Sequence, residues 1–434
     1  MSEHAHKVVI VGGGAGGLEL AAKLGRRFGP DHIFLVDKDM DHIWKPSLHE
    51  VAAGTLDIHR EGLSYAMLAQ DCGFTFIYGR VQGVDRSTRT VLLEPALADG
   101  EVIFPERRLD YDTLVMAVGS RSNFFGTPGA AEHASALDST EQAERFRKQL
   151  LRYFVLADQR RADDPDYVFN ITIVGGGATG VELAAELLEA CKHMVYYGLN
   201  RLDPSRNVKI TLLEGADRIL SALTPKMSAS AQSLLLQRGI EVRTSVRVAS
   251  VDATSVTDAG GVSYPSDLCV WAAGIEAPDF LANLGLPVNQ RNQLIVDAQL
   301  RTEDPDIFAI GDCCQAPWGD DGSFLPARAQ VAHQQASYLI KLAQARIQGT
   351  QPDSRPFHFR DYGSLVSVGH SHGVGSLMGV LVGKSWFVEG LIARVMYMSL
   401  HLMHHMAVLG MVRTGLMAAG RMLLKRSAPR VKLH

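Results

Sequence analysis

The chain is poor in cysteine. Five occur in 434 residues, Cys72, Cys191, Cys269, Cys313 and Cys314, with no CxxC pair and no Cys/His ligand spacing. A zinc site, a disulfide framework and a dithiol redox centre all lose support from that scatter. No window reaches the ~18 uninterrupted apolar residues of a membrane span. A basic excess is missing as well: the net charge is −4, which argues against a nucleic-acid partner. No charged segment followed by an apolar one precedes the first strand-like run, Lys7–Val11, so a cleaved signal peptide is not expected. The last absence is local. From Leu391 to His434 there is no Asp or Glu, while Arg394, Arg413, Arg421, Lys425, Arg426, Arg430 and Lys432 all lie there.

What is present is a hydrophobic content of 46% against 21% charged residues, enough for large cores and against long disorder. At ~100–200 residues per domain the length predicts about two to four domains. The opening KVVIVGGGAGGLELAAKLGRRFG reads strand, glycine turn, helix, and is followed by a second strand ending at Asp37. Gly12, Gly14 and Gly17 thus fall where a G-x-G-x-x-G turn holds a dinucleotide. The first glycine makes the tight turn, the second lets the backbone approach a pyrophosphate, and the third packs helix on strand. Asp37 is placed to accept from a ribose. The pattern returns in ITIVGGGATGVELAAELLEA, with Gly175, Gly177 and Gly180, and a later strand ends at Glu214. Two such sites in one chain point to two dinucleotides exchanging hydride.

Further buried strands end in small-residue turns, YDTLVMAVGS (Tyr111–Ser120) and LCVWAAGIEAP (Leu268–Pro278), and IFAIGDCC sets Gly311 and Asp312 after another. A surface-like helix, Ser139–Arg161, is expected between the two glycine units. In the tail, Leu391, Val395, Met398, Leu402, Met406 and Leu409 form an apolar stripe at helical spacing. A second stripe of Leu416, Met417, Leu423 and Leu424 runs among bases. Interrupted hydrophobicity with basic residues fits amphipathic helices lying in a membrane interface. For the first stripe, a core helix or a contact with a second copy is the alternative.

The order VGGGAGG…VD, AVGS, VGGGATGVELAAEL…LLE, AAG and AIGD resembles the two-dinucleotide flavoprotein reductases. Within PARAQVAHQQA (Pro326–Ala336), the run Ala329–Gln334 resembles the AQxAxQ quinone motif of the type II NADH dehydrogenases, and HIWKPSLHEVAAG (His42–Gly54) resembles their flavin-side loop. Two positions depart from the family pattern: Ala-Val-Gly at Ala117–Gly119 and Lys45 beside the loop proline. The resemblance implies an α/β chain of two Rossmann-type domains. An FAD domain split over 1–120 and 290–335 would surround an NADH domain at 121–289, with a C-terminal membrane-binding region of amphipathic helices at 336–434. It implies NADH:quinone oxidoreduction without proton pumping, with a membrane quinone (ubiquinone or menaquinone) as acceptor, on the cytoplasmic side of the cell membrane.

By that resemblance Gly12, Gly14, Gly17, Asp37, Gly311 and Asp312 hold FAD, and Lys45 stands near the flavin. Gly175, Gly177, Gly180 and Glu214 hold NADH. Glu182 lies at the nicotinamide–flavin junction, and Gln330 with Gln334 faces the quinone. Simpler roles compete. Glu182 could be an acid favoured at a helix N-terminus, the glutamines a polar helix face, Lys45 a solvated base, and His333 a structural hydrogen-bonder. Lys384 near the tail is a weaker candidate for the quinone side. A sulfide:quinone oxidoreductase or a redox-gated binding protein would share the fold. The first needs paired cysteines near the flavin, and the second has no use for a quinone motif.

Overall fold

The computed structural model describes residues 5–98, 100–196, 201–319, 322–367, 373–378, 385–389, 399 and 402–424. Two five-stranded parallel sheets dominate it. In the first, strands run in the order Ile307–Ala309, Thr113–Met116, Val8–Val11, Ile33–Asp37 and Thr75–Tyr78. In the second the order is Ala134–Ser135, Leu268–Trp271, Phe169–Val174, Val208–Leu213 and Glu241–Arg243. Central strands such as VVIV and TLVM are buried at every position, as expected where helices cover both faces of a parallel sheet.

Each unit also carries a small antiparallel sheet, placed in sequence just before its strand Thr113–Met116 or Leu268–Trp271. It comprises Val81–Asp85, Thr90–Leu93 and Arg107–Asp110 in the first, and Val248–Val251, Ser255–Asp258 and Ser263–Pro265 in the second. The late strand Ile307–Ala309 pairs with Thr113–Met116, so the first unit is interrupted by the second. A third antiparallel sheet, Gly363–Ser367 with Gly373–Met378 and Ser385–Glu389, follows.

The helix Ala329–Ile347 is continuous across residue 335, where the sequence boundary was expected. It packs on the first glycine-turn helix, Ala15–Phe28: Leu339 and Ala343 share a core with Leu18, Leu20 and Leu24. Glu19, fully buried in that contact, accepts from Lys23 Nζ at 2.5 Å and from Ser337 Oγ at 3.4 Å, and pairs with His333 Nδ1. His333 is thus engaged as a structural partner.

The helix expected to be surface-like runs Thr140–Asp163, capped by the Ser139 side chain. Its face of Phe146, Leu150 and Phe154 is buried against Leu48, Val51 and Ala52. Its mean polarity hid that stripe because the other faces are strongly charged.

Among the described residues no helix is long and apolar enough to cross a membrane. Helix 402–409 docks on the first unit through His404, His405 and Val408. Of the Leu402–Met406–Leu409 stripe, Leu409 packs against the first unit's core while Met406 is exposed. Polarity misled here, because the two histidines meet ring partners rather than water. His404 stacks on Trp44 and its Nε2 lies 2.8 Å from His42 Nε2, while Arg26 bonds the Val408 carbonyl. Gly410, with φ +82°, turns the chain into Met411–Leu424, which is tied by an Arg413–Asp71 ion pair. Positions 391–398 of the first stripe, and Lys384, lie outside the described residues.

Candidate active site

The two glycine turns repeat one geometry. Gly12 has φ +103° and Gly175 φ +111°, a region that L side chains avoid. A Cβ on Gly12 would stand 2.4 Å from Ala117 O, and one on Gly175 2.6 Å from Ala273 N. One on Gly17 or Gly180 would fall 1.9 Å from the carbonyl oxygen of Gly12 or Gly175. Gly14 and Gly177 differ: nothing lies within 4 Å of where their Cβ would point. That open space, at the N-terminal ends of two helices, fits the pyrophosphates of two dinucleotides.

The terminal acids are held alike. Asp37 accepts from Gly13 N at 2.5 Å and Asp39 N at 2.9 Å; Glu214 accepts from Gly176 N at 2.6 Å and Ala216 N at 2.7 Å. Each carboxylate keeps lone pairs for ribose hydroxyls. Burial raises the Asp37 carboxyl above its ordinary range, against the pull of the Asp39 and Gly13 amides. The Gly13 carbonyl accepts from Tyr65 Oη at 2.7 Å and from His42 Nδ1 at 2.9 Å.

Lys45, in the turn Lys45–Ser47, donates to the Ser120 carbonyl at 2.5 Å. Ser120 Oγ in turn donates to Asp312 Oδ2 at 2.8 Å. The loop base, the Ala117–Ser120 turn and the Gly311–Asp312 turn are thereby joined around one edge of the first unit. Gly311 takes φ +73° and gives its N–H to Gln335 Oε1 at 2.7 Å.

The two motif glutamines have different surroundings. Gln330 Oε1 is buried without a hydrogen-bond partner, an unused acceptor. Gln334 is engaged with the Arg360 backbone, donating to its carbonyl at 2.8 Å and accepting its N–H at 3.0 Å.

Glu182 is the fifth residue of Ala178–Tyr196, where that helix meets Leu48–Ala53 and the strand Gly363–Ser367. Its Oε1 accepts from Ser367 N at 3.0 Å, and its Oε2 lies 3.6 Å from His49 Nδ1. Burial first, then repulsion from Glu50 and Glu186 against the Ser367 hydrogen bond, pushes its carboxyl up to about 8. Burial holds His49 neutral, near about 4, despite a hydrogen bond to the Pro46 backbone. A buried acid protonated at neutral pH suits proton donation. Sequence reasoning missed His49, Ser120 and Gln335. Their signals were proximity alone, one helical turn past Lys45, the last residue of AVGS, and the neighbour of Gln334.

The pyridine nucleotide-disulphide oxidoreductase family model matches residues 6–336. The type II NADH:quinone oxidoreductase of Haemophilus influenzae is 38% identical to this chain, over 98% of it and 99% of the relative. The chain belongs to the type II NADH:quinone oxidoreductases. The family's fold agrees with the sheets described above. The solved structure of NDH2 from Plasmodium falciparum in complex with NADH matches with a TM-score of 0.81 at 18% identity, covering 99% of this chain and 100% of that one.

The sulfide:quinone oxidoreductase of Aquifex aeolicus shares the architecture, with a TM-score of 0.72 at 18% identity, over 94% of this chain and 92% of that one. Fold alone does not separate the two chemistries; cysteines do. All five here are free and buried, and burial pushes the Cys313 thiol up to about 12 and the Cys314 thiol well above its ordinary range. Neither is poised as the thiolate that carries sulfur.

Proposed function

We propose that the chain oxidises NADH and reduces a membrane quinone, with FAD in the split unit and NADH in the inserted one. The observation that carries this is the pair of matching glycine cradles in one chain, with the buried Glu182 beside their junction. FAD, when bound, supplies the hydride acceptor and the electron donor. The chain's own residues do the rest. Gly12, Gly14, Gly17, Asp37, Gly311 and Asp312 hold FAD, and Lys45, tethered through Ser120, places a positive charge beside it. Gly175, Gly177, Gly180 and Glu214 hold NADH. Gln330 offers its buried carbonyl oxygen at the quinone side, Gln334 keeps the segment at Arg360 in place, and Glu182 holds the proton that quinone needs.

Separating the half-reactions tests this. Gln330→Leu should slow reoxidation of the reduced enzyme by quinone about 5- to 150-fold, the loss of one or two hydrogen bonds. Stopped-flow reduction by NADH should change little. Gln330→Leu together with Gln334→Leu should be worse, because the Arg360 segment loosens. Wild-type reoxidation in the double variant would refute the quinone assignment.

Attachment to the membrane is peripheral in this reading, on the cytoplasmic face, through Met411–Leu424. Met411, Val412 and Leu416 are 79%, 78% and 70% exposed, next to a basic tail that favours an anionic leaflet. Val412→Asp with Leu416→Asp should abolish sedimentation with anionic liposomes, whereas undiminished sedimentation would place the anchor elsewhere.

A further inference from the structure

Reducing a quinone with NADH takes up one proton from solution for each turnover, because NADH carries one and quinol needs two. Glu182 is buried, so that proton needs a way in. His49 lies between Glu182 and the surface. Its Nδ1 is 3.6 Å from Glu182 Oε2, and its Nε2 is 4.0 Å from Glu50 Oε1. The His49 ring is 2% exposed while the Glu50 side chain is 31% exposed, so the three groups run from water to the buried acid. His49 Nε2 is buried without a hydrogen-bond partner, leaving a lone pair turned towards Glu50.

We infer that His49 is a proton-relay residue that passes protons from Glu50 at the surface to Glu182 at the quinone side. This rests on the reading that Glu182 serves the quinone step. Once Glu182 has given up its proton, Glu50 donates one to His49 Nε2, breaking its O–H bond and forming N–H. The Nδ1–H bond breaks, and a new O–H forms on Glu182. Glu50 regains a proton from water, and the ring resets by tautomer exchange, gaining a proton at Nδ1 and losing the one on Nε2 to solvent. Contacts of 3.6 and 4.0 Å close to hydrogen bonds through small side-chain shifts. Among the described residues, the groups facing Glu182 are His49 and Glu50 from Leu48–Ala53, Glu186 from its own helix, and the Ser367 N–H. Thr55 Oγ1 bonds Glu186 at 3.0 Å. Helix Thr140–Asp163, behind Leu48–Ala53, contributes the paired Arg147 and Glu144.

The test uses the holoenzyme with bound FAD quantified for every variant. In His49→Gln and Glu50→Gln, quinone-driven reoxidation relative to NADH-driven reduction should fall by about 10- to 100-fold, as for loss of a proton-transfer group. The solvent deuterium effect on reoxidation should rise, and imidazole should restore rate in His49→Ala. Infrared spectroscopy gives a readout independent of turnover. The carboxylic-acid C=O band lost in Glu182→Gln should exchange with D2O more slowly in His49→Gln than in wild type. A slow Glu182→Gln enzyme with normal His49→Gln and Glu50→Gln enzymes would overturn the relay and leave the quinone reading standing. A normal Glu182→Gln enzyme would overturn that reading itself.

Discussion

Glu19 and Glu182 occupy the same place in the two halves of the molecule, two residues after the third glycine of each turn, in LELAAK and VELAAE. Both are buried, and both face a histidine from another element, His333 in one case and His49 in the other. Their chemistry nevertheless diverges. One turn further along, Lys23 reaches Glu19 at 2.5 Å, and the half-exposed His333 adds a second donor. The carboxylate is matched and pins two helices together. At the corresponding position Glu186 repels Glu182, and fully buried His49 stays neutral. The same backbone site therefore holds a structural ion pair in one unit and a raised carboxyl in the other, because burial acts on Glu182 without a cation at i+4 to offset it.

The sharpest way to break that contrast is to exchange the neighbours. Lys23→Glu would leave Glu19 buried beside a like charge, and a cost of about 3 kcal/mol is expected from breaking a buried pair. Urea unfolding of the FAD-loaded protein would read it, and a change below about 0.5 kcal/mol would show that Glu19 is not held by Lys23.

The reciprocal Glu186→Lys sets a cation near Glu182 and should pull its carboxyl down towards the ordinary 4.5, below the about 8 it has here. Donation at neutral pH should weaken, with quinone turnover down about tenfold or more. The alkaline limb of the pH–rate profile would move with it.

A smaller effect separates the buried groups by their pH windows. His42 and His49 sit near about 4 instead of 6.5, so the unfolded chain takes up protons that the folded chain refuses. Their stabilising contribution is complete above 6.5 and lost as pH falls towards 4. Glu182, raised from 4.5 to about 8, does the opposite: its contribution is complete below 4.5 and lost as pH rises through 8. Glu182→Gln should flatten the alkaline slope of stability and spare the acid one. His42 has a further reason to fail in acid. Its Nδ1 donates to the Gly13 carbonyl, so its Nε2 must accept from His404. Protonation removes that acceptor and should loosen helix 402–409, which hydrogen exchange would detect.

The mildest test concerns the strand-end acids. Glu214→Ser should narrow the preference for NADH over NADPH about threefold to tenfold, through the loss of one or two ribose hydrogen bonds and of repulsion towards a 2′-phosphate. Equal kcat/KM for both donors in the wild type would remove Glu214 as the determinant.

Much of this was legible in the chain. Glycine spacing, flanking β-branched runs and terminal acids are local requirements of a turn that meets a pyrophosphate. Gly12 and Gly175 are glycine because any side chain would strike the next strand's carbonyl end. Even the contrast between LELAAK and VELAAE stands in the sequence as a change of charge one helical turn on. Long-range matters were not legible. The buried stripe of Thr140–Asp163 was masked by its charged faces, and helix 402–409 docks by histidines whose polarity suggested solvent.

The sequence by itself determined two dinucleotide cradles and their order, because each is built from residues within a few turns of one another. Only the tertiary structure decided that the Glu182 carboxyl is raised. Burial does most of it, with repulsion from Glu50 across 132 positions, and desolvation belongs to no residue until its neighbours have closed around it.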